Sequence, residues 1–149
     1  MRTYITRLAT LALGAAVVVG LLAASHQDVT QVRLERSLQQ TFTNLYVQQG
    51  QILGTPTSAA QIDAKANCDK GGKAVKDVGA GPNWICMMDF TDLTGKPQTG
   101  KFEVAAKANY CYVAGGPSKL VGPITINDSQ GRPVLNPVFE WDACYDPAS

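Results

Sequence analysis

Four cysteines, Cys68, Cys86, Cys111 and Cys144, limit this chain more than any other feature, because all of them follow one uncharged apolar run near the N-terminus. Cysteines carried across a membrane meet an oxidising compartment and pair. The competing use is a zinc site, which brings two thiolates together over a spacing such as C-x-x-C. Here the closest pair has seventeen residues between its members, and the sole histidine, His26, lies far off in sequence. Two disulfides are therefore expected. Four cysteines allow three connectivities. The sequential one, Cys68 with Cys86 and Cys111 with Cys144, closes short hairpin-like loops and is favoured. In the chain-entropy model each such bridge contributes roughly 3 kcal/mol, a large share of a domain stability of about 5–10 kcal/mol.

The apolar run extends from Leu8 to Ala24 without charge or proline, and Arg2 and Arg7 precede it with no acid between them. Positive charge stays on the cytoplasmic side, so the N-terminus is expected inside and the remainder translocated. At 1.5 Å per residue the run covers about 26 Å, close to a bilayer core of about 30 Å. Tyr4 and Ile5 can lengthen it while Arg7 snorkels to the interface. A cleaved signal more often has an apolar region of about 7–15 residues. A retained, single-pass signal anchor is the expectation, with Leu8, Leu11, Leu13, Val17, Val18, Val19, Leu21 and Leu22 in the bilayer. Cleavage at the small residues Ala23-Ala24-Ser25, giving a secreted protein, is the alternative. No cysteine follows the run to carry a lipoprotein anchor.

Of 13 basic residues two, Arg2 and Arg7, precede the run, which leaves 11 against 12 acidic residues in the translocated part. Such a balance offers no footprint for nucleic acid.

From Gln27 to Gln49 there is neither glycine nor proline. Val29, Leu34, Leu38, Phe42 and Leu45 recur at steps of three to five and Ile52 follows seven residues on, with Val32, Tyr46 and Val47 beside them, which is helical spacing. Arg33, Gln39, Gln40 and Gln49 are placed on the opposite face. Gly50 and Gly54-Thr55-Pro56 are expected to stop the helix. A helix leaving the membrane here makes a stalk over 26–53. Its apolar stripe has two uses open to it: packing on the chain's own β-domain, or facing a partner, whether a second copy or another membrane protein. Leu34, Leu38, Phe42 and Leu45 are the candidate partner-facing residues. The stripe is too short to define a coiled coil.

A linker is expected over 54–60 and the folded domain over 61–149. The glycine-rich and lysine-rich stretch from Cys68 to Gly81 reads as a loop with solvated lysines, since the G-x-x-x-x-G-K-[ST] order of a phosphate loop is absent. In Asn83 to Phe90, Trp84, Cys86, Met88 and Phe90 alternate with Ile85, Met87 and Asp89, the period of a strand with its cysteine facing the core. Phe102, Val104 and Ala106 mark a second strand, and Tyr110 to Val113 a third. Val121 to Ile126, Arg132 to Leu135 and Val138 to Trp141 follow, with turns at Thr94–Pro97 and Asp128–Gly131. Strands at this spacing form an antiparallel sheet. The fold class is α+β, with an N-terminal transmembrane and stalk helix ahead of a small two-disulfide sheet domain.

No catalytic residue, metal ligand or cofactor site is expected. Nucleophilic catalysis needs a base beside the nucleophile, and His26 sits at the membrane boundary. Carboxylate pairs such as Asp89 with Asp92, or Glu140 with Asp142, are arithmetically available, but acids flanking strands are ordinarily solvated and nothing raises one above the rest. Asn127-Asp128-Ser129 matches a glycosylation sequon, in residues that a turn favours anyway.

Cys68-Asp69-Lys70-Gly71-Gly72, Asp77-Val78-Gly79-Ala80-Gly81-Pro82-Asn83-Trp84-Ile85-Cys86, Asn109-Tyr110-Cys111-Tyr112-Val113-Ala114, Gly131-Arg132, Asn136-Pro137-Val138-Phe139 and Ala143-Cys144-Tyr145-Asp146 together resemble a family of small actinobacterial envelope proteins of unknown function. The likeness covers nearly the whole chain, including Leu34-Glu35-Arg36-Ser37 and Thr41-Phe42-Thr43-Asn44. It implies one N-terminal membrane segment and a single four-cysteine outer domain, and it agrees with sequential cysteine pairing. Some members carry a transporter-permease label. One membrane segment cannot form a permease, so the label implies at most an accessory subunit that binds a membrane-complex or envelope protein. A narrower resemblance is to actinomycete subtilisin inhibitors, which are small, secreted, β-rich and held by two sequential disulfides. Their binding loop follows the third cysteine, where this chain has Cys111-Tyr112-Val113-Ala114-Gly115-Gly116-Pro117. The Cys-Pro step and the helix between the second and third cysteines of those inhibitors are absent.

Overall fold

The computed structural model describes residues 29–145. The expected membrane segment, with Leu8, Leu11, Leu13, Val17, Val18, Val19, Leu21 and Leu22, lies outside the described residues, as does His26. Among the described residues, no helix is long and apolar enough to cross a membrane.

Helix α1, Gln31–Ile52, opens at the N-cap Thr30, whose hydroxyl accepts from the Arg33 amide at 3.4 Å. It runs through Gly50 to a C-cap at Leu53. After a turn, Ser58 and Gln61 form a capping box around the single-turn helix α2, Ala59–Ile62, so part of the expected linker is helical. Strands β1 (Lys65–Asp69), β2 (Gly81–Thr91), β3 (Pro97–Ala106) and β4 (Cys111–Gly115) then follow as a meander. A short helix α3 (Ser118–Val121) and the hairpin β5 (Thr125–Asn127) with β6 (Pro133–Leu135) intervene. Strand β7 (Glu140–Cys144) returns beside β4 and completes an antiparallel sheet of order β1-β2-β3-β4-β7.

One face of this sheet lies under α1. The period-2 alternation sends Trp84, Cys86, Met88 and Phe90 of β2, Phe102 and Val104 of β3, Tyr112 and Ala114 of β4 and Trp141 of β7 to that face, all buried. Leu34, Leu38 and Phe42 on α1 are 0% exposed and Leu45 packs at the margin of the same core. This corrects the partner-facing reading of Leu34, Leu38, Phe42 and Leu45. Of the two uses open to the stripe, the helix spends it on its own sheet. A helix with one apolar stripe and a sheet with one apolar face bury both only by stacking. The stalk and the β-domain are therefore one folded unit. Phe42 stands at the centre, with ring centroids at 4.9 Å from Phe90, 5.3 Å from Tyr46, 5.4 Å from Phe102 and 6.2 Å from Trp141.

Polar groups fasten the layers at three places. Glu35 Oε1 accepts from the Cys68 amide at 2.8 Å, tying α1 to the edge of β1. Tyr112 Oη lies 3.2 Å from Ser37 Oγ and donates to Thr41 Oγ1 at 3.4 Å. Gln49, assigned from sequence to the polar face, is 3% exposed. It follows Phe42 and Tyr46 at stripe spacing and points inward, where it meets Asn136.

Three strand expectations change. Val138 to Trp141 is strand only from Glu140, because 137–139 form a turn, and β7 runs on to Cys144. Val121 to Ile126 is split between the end of α3 and the start of β5, because Gly122 (φ 88°) and Pro123 interrupt it, and proline supplies no ladder donor. The third strand begins at Cys111 and continues to Gly115.

Candidate functional site

The four cysteines form Cys68–Cys86 and Cys111–Cys144, the sequential pairing. In both cases the partners are direct cross-strand neighbours, on β1 and β2 and on β4 and β7. The bridges differ in where they face. Cys68 and Cys86 are both 0% exposed on the helix-covered face. Cys111 and Cys144 project from the opposite, open face, where Cys111 is half-buried and Cys144 exposed.

The residues with chemical potential in the sequence are held in structural work. Lys70 does not sit free in water: its ammonium donates to the carbonyls of Val78, Gly79 and Ala80 at 3.1, 3.1 and 2.7 Å and lies 5.9 Å from the Trp84 ring. It thereby closes the β1–β2 loop, and the same loop pins the start of α1 through Gly79 N–H to the Val29 carbonyl at 2.7 Å. Asp89 accepts from the Thr99 hydroxyl at 2.6 Å. Asp92 caps the β2–β3 turn, accepting at Oδ1 from the Thr94 amide and hydroxyl and the Lys96 amide, and at Oδ2 from Gln98. These bonds, led by that from the Thr94 hydroxyl, hold its carboxyl down at about 2. Asp128 plays the same part in the β5–β6 turn, with the Arg132 amide and guanidinium as its main donors, and its value is also lowered. Asp142 pairs with Lys107 at 3.1 Å on the surface. Among the described residues, no group of three or more His, Cys, Asp or Glu side chains is placed to hold a metal ion.

Of the segment that would carry an inhibitor's binding loop, Cys111 to Pro117, residues Cys111–Gly115 form an interior strand with β3 on one side and β7 on the other, and Gly116 and Pro117 follow it.

The surface that sequence reasoning missed is at the far end of the sheet. Ile124 is 57% exposed and Leu135 is 76% exposed. Leu135 pairs in register with Thr125, and the Asn136 amide donates to the Ile124 carbonyl at 2.9 Å, so Ile124 and Leu135 lie diagonally across the end of the β5–β6 hairpin. With Pro137, Phe139 and Glu140 they line a depression of about 300 Å³. Phe139 and Glu140 also border a second depression, of about 540 Å³, on the open sheet face beside Lys101, Glu103, Val113 and Pro117. The hairpin carrying this apolar pair is anchored from beneath: Asn136 Nδ2 donates to the carbonyls of Val121 and Pro123 at 2.8 and 2.9 Å. The sequence signal was Leu135 between Pro133 and Asn136-Pro137, where a strand is too short and too interrupted to be covered on both sides.

Fold and surface together define a two-layer, disulfide-stapled α+β domain that presents a fixed apolar knob. Comparisons with protein-family models, with curated proteins and with solved structures found no match to this chain.

Proposed function

We propose that this chain is a non-catalytic interaction module of the cell envelope, held at the membrane by its N-terminal segment with the disulfide domain on the outer side, and acting as an accessory subunit that binds an envelope or membrane-complex protein. The observation that carries the reading is the exposed Ile124 and Leu135 pair on a hairpin fixed to the core. Contiguous exposed apolar surface, unlike apolar side chains scattered singly, marks interaction sites. The uncharged run from Leu8 to Ala24 behind Arg2 and Arg7 supports the anchored placement, and the resemblance to four-cysteine envelope proteins agrees with it. Dimerisation through the α1 stripe drops out of the proposal, since that face is occupied.

A photo-crosslinking residue at Leu135 in native membranes tests the reading. Capture of one defined envelope protein is expected, lost on Ile124→Asp and not obtained from a crosslinker at Asp89. Capture indifferent to Ile124→Asp counts against the surface. Recovery of the chain only as soluble protein starting near His26 counts against the anchor. Titration against subtilisin-type proteases is expected to show no stoichiometric inhibition.

A further inference from the structure

We propose that Cys111–Cys144 is a thiol–disulfide exchange site for a dithiol reductant of the C-x-x-C class, and that Cys68–Cys86 is a permanent staple. The assignment rests on where each bridge lies. Exchange requires in-line approach of a thiolate to one sulfur, so access decides which bridge reacts. Cys68 and Cys86 are 0% exposed beneath α1, and the Cys68 amide is closed off by Glu35. Cys144 is exposed on the last strand of the sheet, and its half-buried partner Cys111 faces the same open side. The flanking ladder bonds, Tyr145 N–H to the Tyr110 carbonyl at 2.9 Å and Gly116 N–H to the Phe139 carbonyl at 3.2 Å, put Cys111 and Cys144 at a non-hydrogen-bonded position. No ladder bond between the two cysteines is lost when the sulfurs separate.

A thiolate of the reductant attacks Cys144 Sγ and forms a mixed disulfide, and Cys111 leaves as a thiolate. The reductant's second thiolate attacks its own sulfur in that mixed disulfide and releases Cys144 as a thiolate. Two electrons pass to the domain, the reductant becomes a disulfide, and water protonates the two new thiolates.

The fold is built to survive that opening. Within the loop closed by this bridge, Val121, Val138 and Trp141 are buried in the core and Asn136 is clamped to Gln49. The chain between the two cysteines is thus held from inside as well as from its ends. The sulfurs lie on the open face, so their separation empties no core volume. What the bridge adds is restraint on the segment that carries Ile124 and Leu135.

The test uses the oxidised full chain and two probes: graded dithiothreitol, and a C-x-x-C oxidoreductase whose resolving cysteine is replaced by serine. After brief exposure and alkylation, peptide mapping is expected to find Cys111 and Cys144 labelled roughly tenfold or more faster than Cys68 and Cys86. Far-UV circular dichroism is expected to be unchanged at that point, and the trap to be joined to the Cys144 peptide. Equal labelling of the two pairs, loss of secondary structure together with the first labelling, or trapping on Cys68 or Cys86 would overturn the assignment. The double variant Cys111→Ser with Cys144→Ser gives a second readout, with retention of Cys68–Cys86 and cooperative unfolding expected. If that variant fails to fold, labelling of the unaltered chain decides alone.

Discussion

Gln49 Nε2 donates to Asn136 Oδ1 at 2.8 Å across 87 residues of sequence, and both side chains are buried. The same Gln49 nitrogen reaches the Val121 carbonyl at 2.7 Å, while Asn136 Oδ1 also accepts from the Val138 amide at 3.1 Å. This small network joins the last turn of α1 to the whole segment between β4 and β7.

Asn136→Ala leaves one Gln49 N–H, the Val138 amide and the Pro123 carbonyl without their Asn136 partners, while the Gln49 bond to the Val121 carbonyl remains. A loss of about 3 kcal/mol in urea unfolding is expected, since each buried polar group left without a partner costs about 1–3 kcal/mol. Asn136→Asp is expected to be worse at neutral pH, because it turns donors that face two carbonyls into acceptors. A double-mutant cycle with Gln49→Leu should show strong coupling; simple additivity would mean that the two amides act separately.

Phe42 is the hub of the aromatic core, and its replacement by alanine is expected to cost about 3–5 kcal/mol. Arg36, six residues earlier and exposed, is expected to tolerate alanine within about 0.5 kcal/mol. Equal effects at the two positions, measured by thermal or urea denaturation, would contradict a helix buried on one face only.

Most of the sheet was legible because its long strands alternate without interruption. Trp84, Cys86, Met88 and Phe90 show the buried face directly, and Phe102 with Val104 continues it on the next strand. The α1 stripe was legible as apolar, but periodicity says which face is apolar and not what covers it. Leu34, Leu38 and Phe42 satisfied both readings until the sheet was seen lying against them. Gln49 was misplaced for a related reason: a polar side chain at stripe spacing finds its use only through a partner 87 residues away. The Ile124 and Leu135 knob was hidden because a short strand between prolines gives no sign of which side lacks a neighbour. Lys70 looked like a solvated loop lysine since its three carbonyl partners are assembled by the loop's fold and not by its composition.

Gly116 lies where β4 leaves the sheet, against the ring of Phe102. A Cβ at this position would stand 2.6 Å from Phe102 Cε1 and 2.9 Å from Val121 Cγ1. Both neighbours are fully packed and neither can withdraw, so Gly116→Ala is expected to destabilise by about 1–3 kcal/mol. Gly131→Ala, with nothing near its Cβ, tests crowding against backbone conformation: its φ of 78° disfavours alanine without any clash. A double-mutant cycle with Phe102→Leu, which removes the nearest clashing atoms, in which the cost of Gly116→Ala shrinks would identify crowding as the cause.

Asp92 supplies the clearest pH dependence. Its carboxyl is held at about 2, below the ordinary 3.8, chiefly by the Thr94 hydroxyl and further by the Lys96 amide and Gln98. A folded value below the unfolded one means that the ionised form favours the fold. That contribution is complete above the unfolded value near 4, fades as pH falls toward 2, and is gone once the folded carboxyl is protonated. Asp128, lowered in the same direction by Arg132, adds to the slope. Thermal midpoints of the unaltered chain are therefore expected to fall as the solution is taken from pH 4 to pH 2. Asp92→Asn keeps an acceptor for the turn but cannot ionise, so its midpoint is expected to be lower at pH 6 and to converge on that of the unaltered chain at the acid end. A gap between the two proteins that stays constant from pH 6 to pH 2 would assign the loss to turn geometry and remove Asp92 from the acid response.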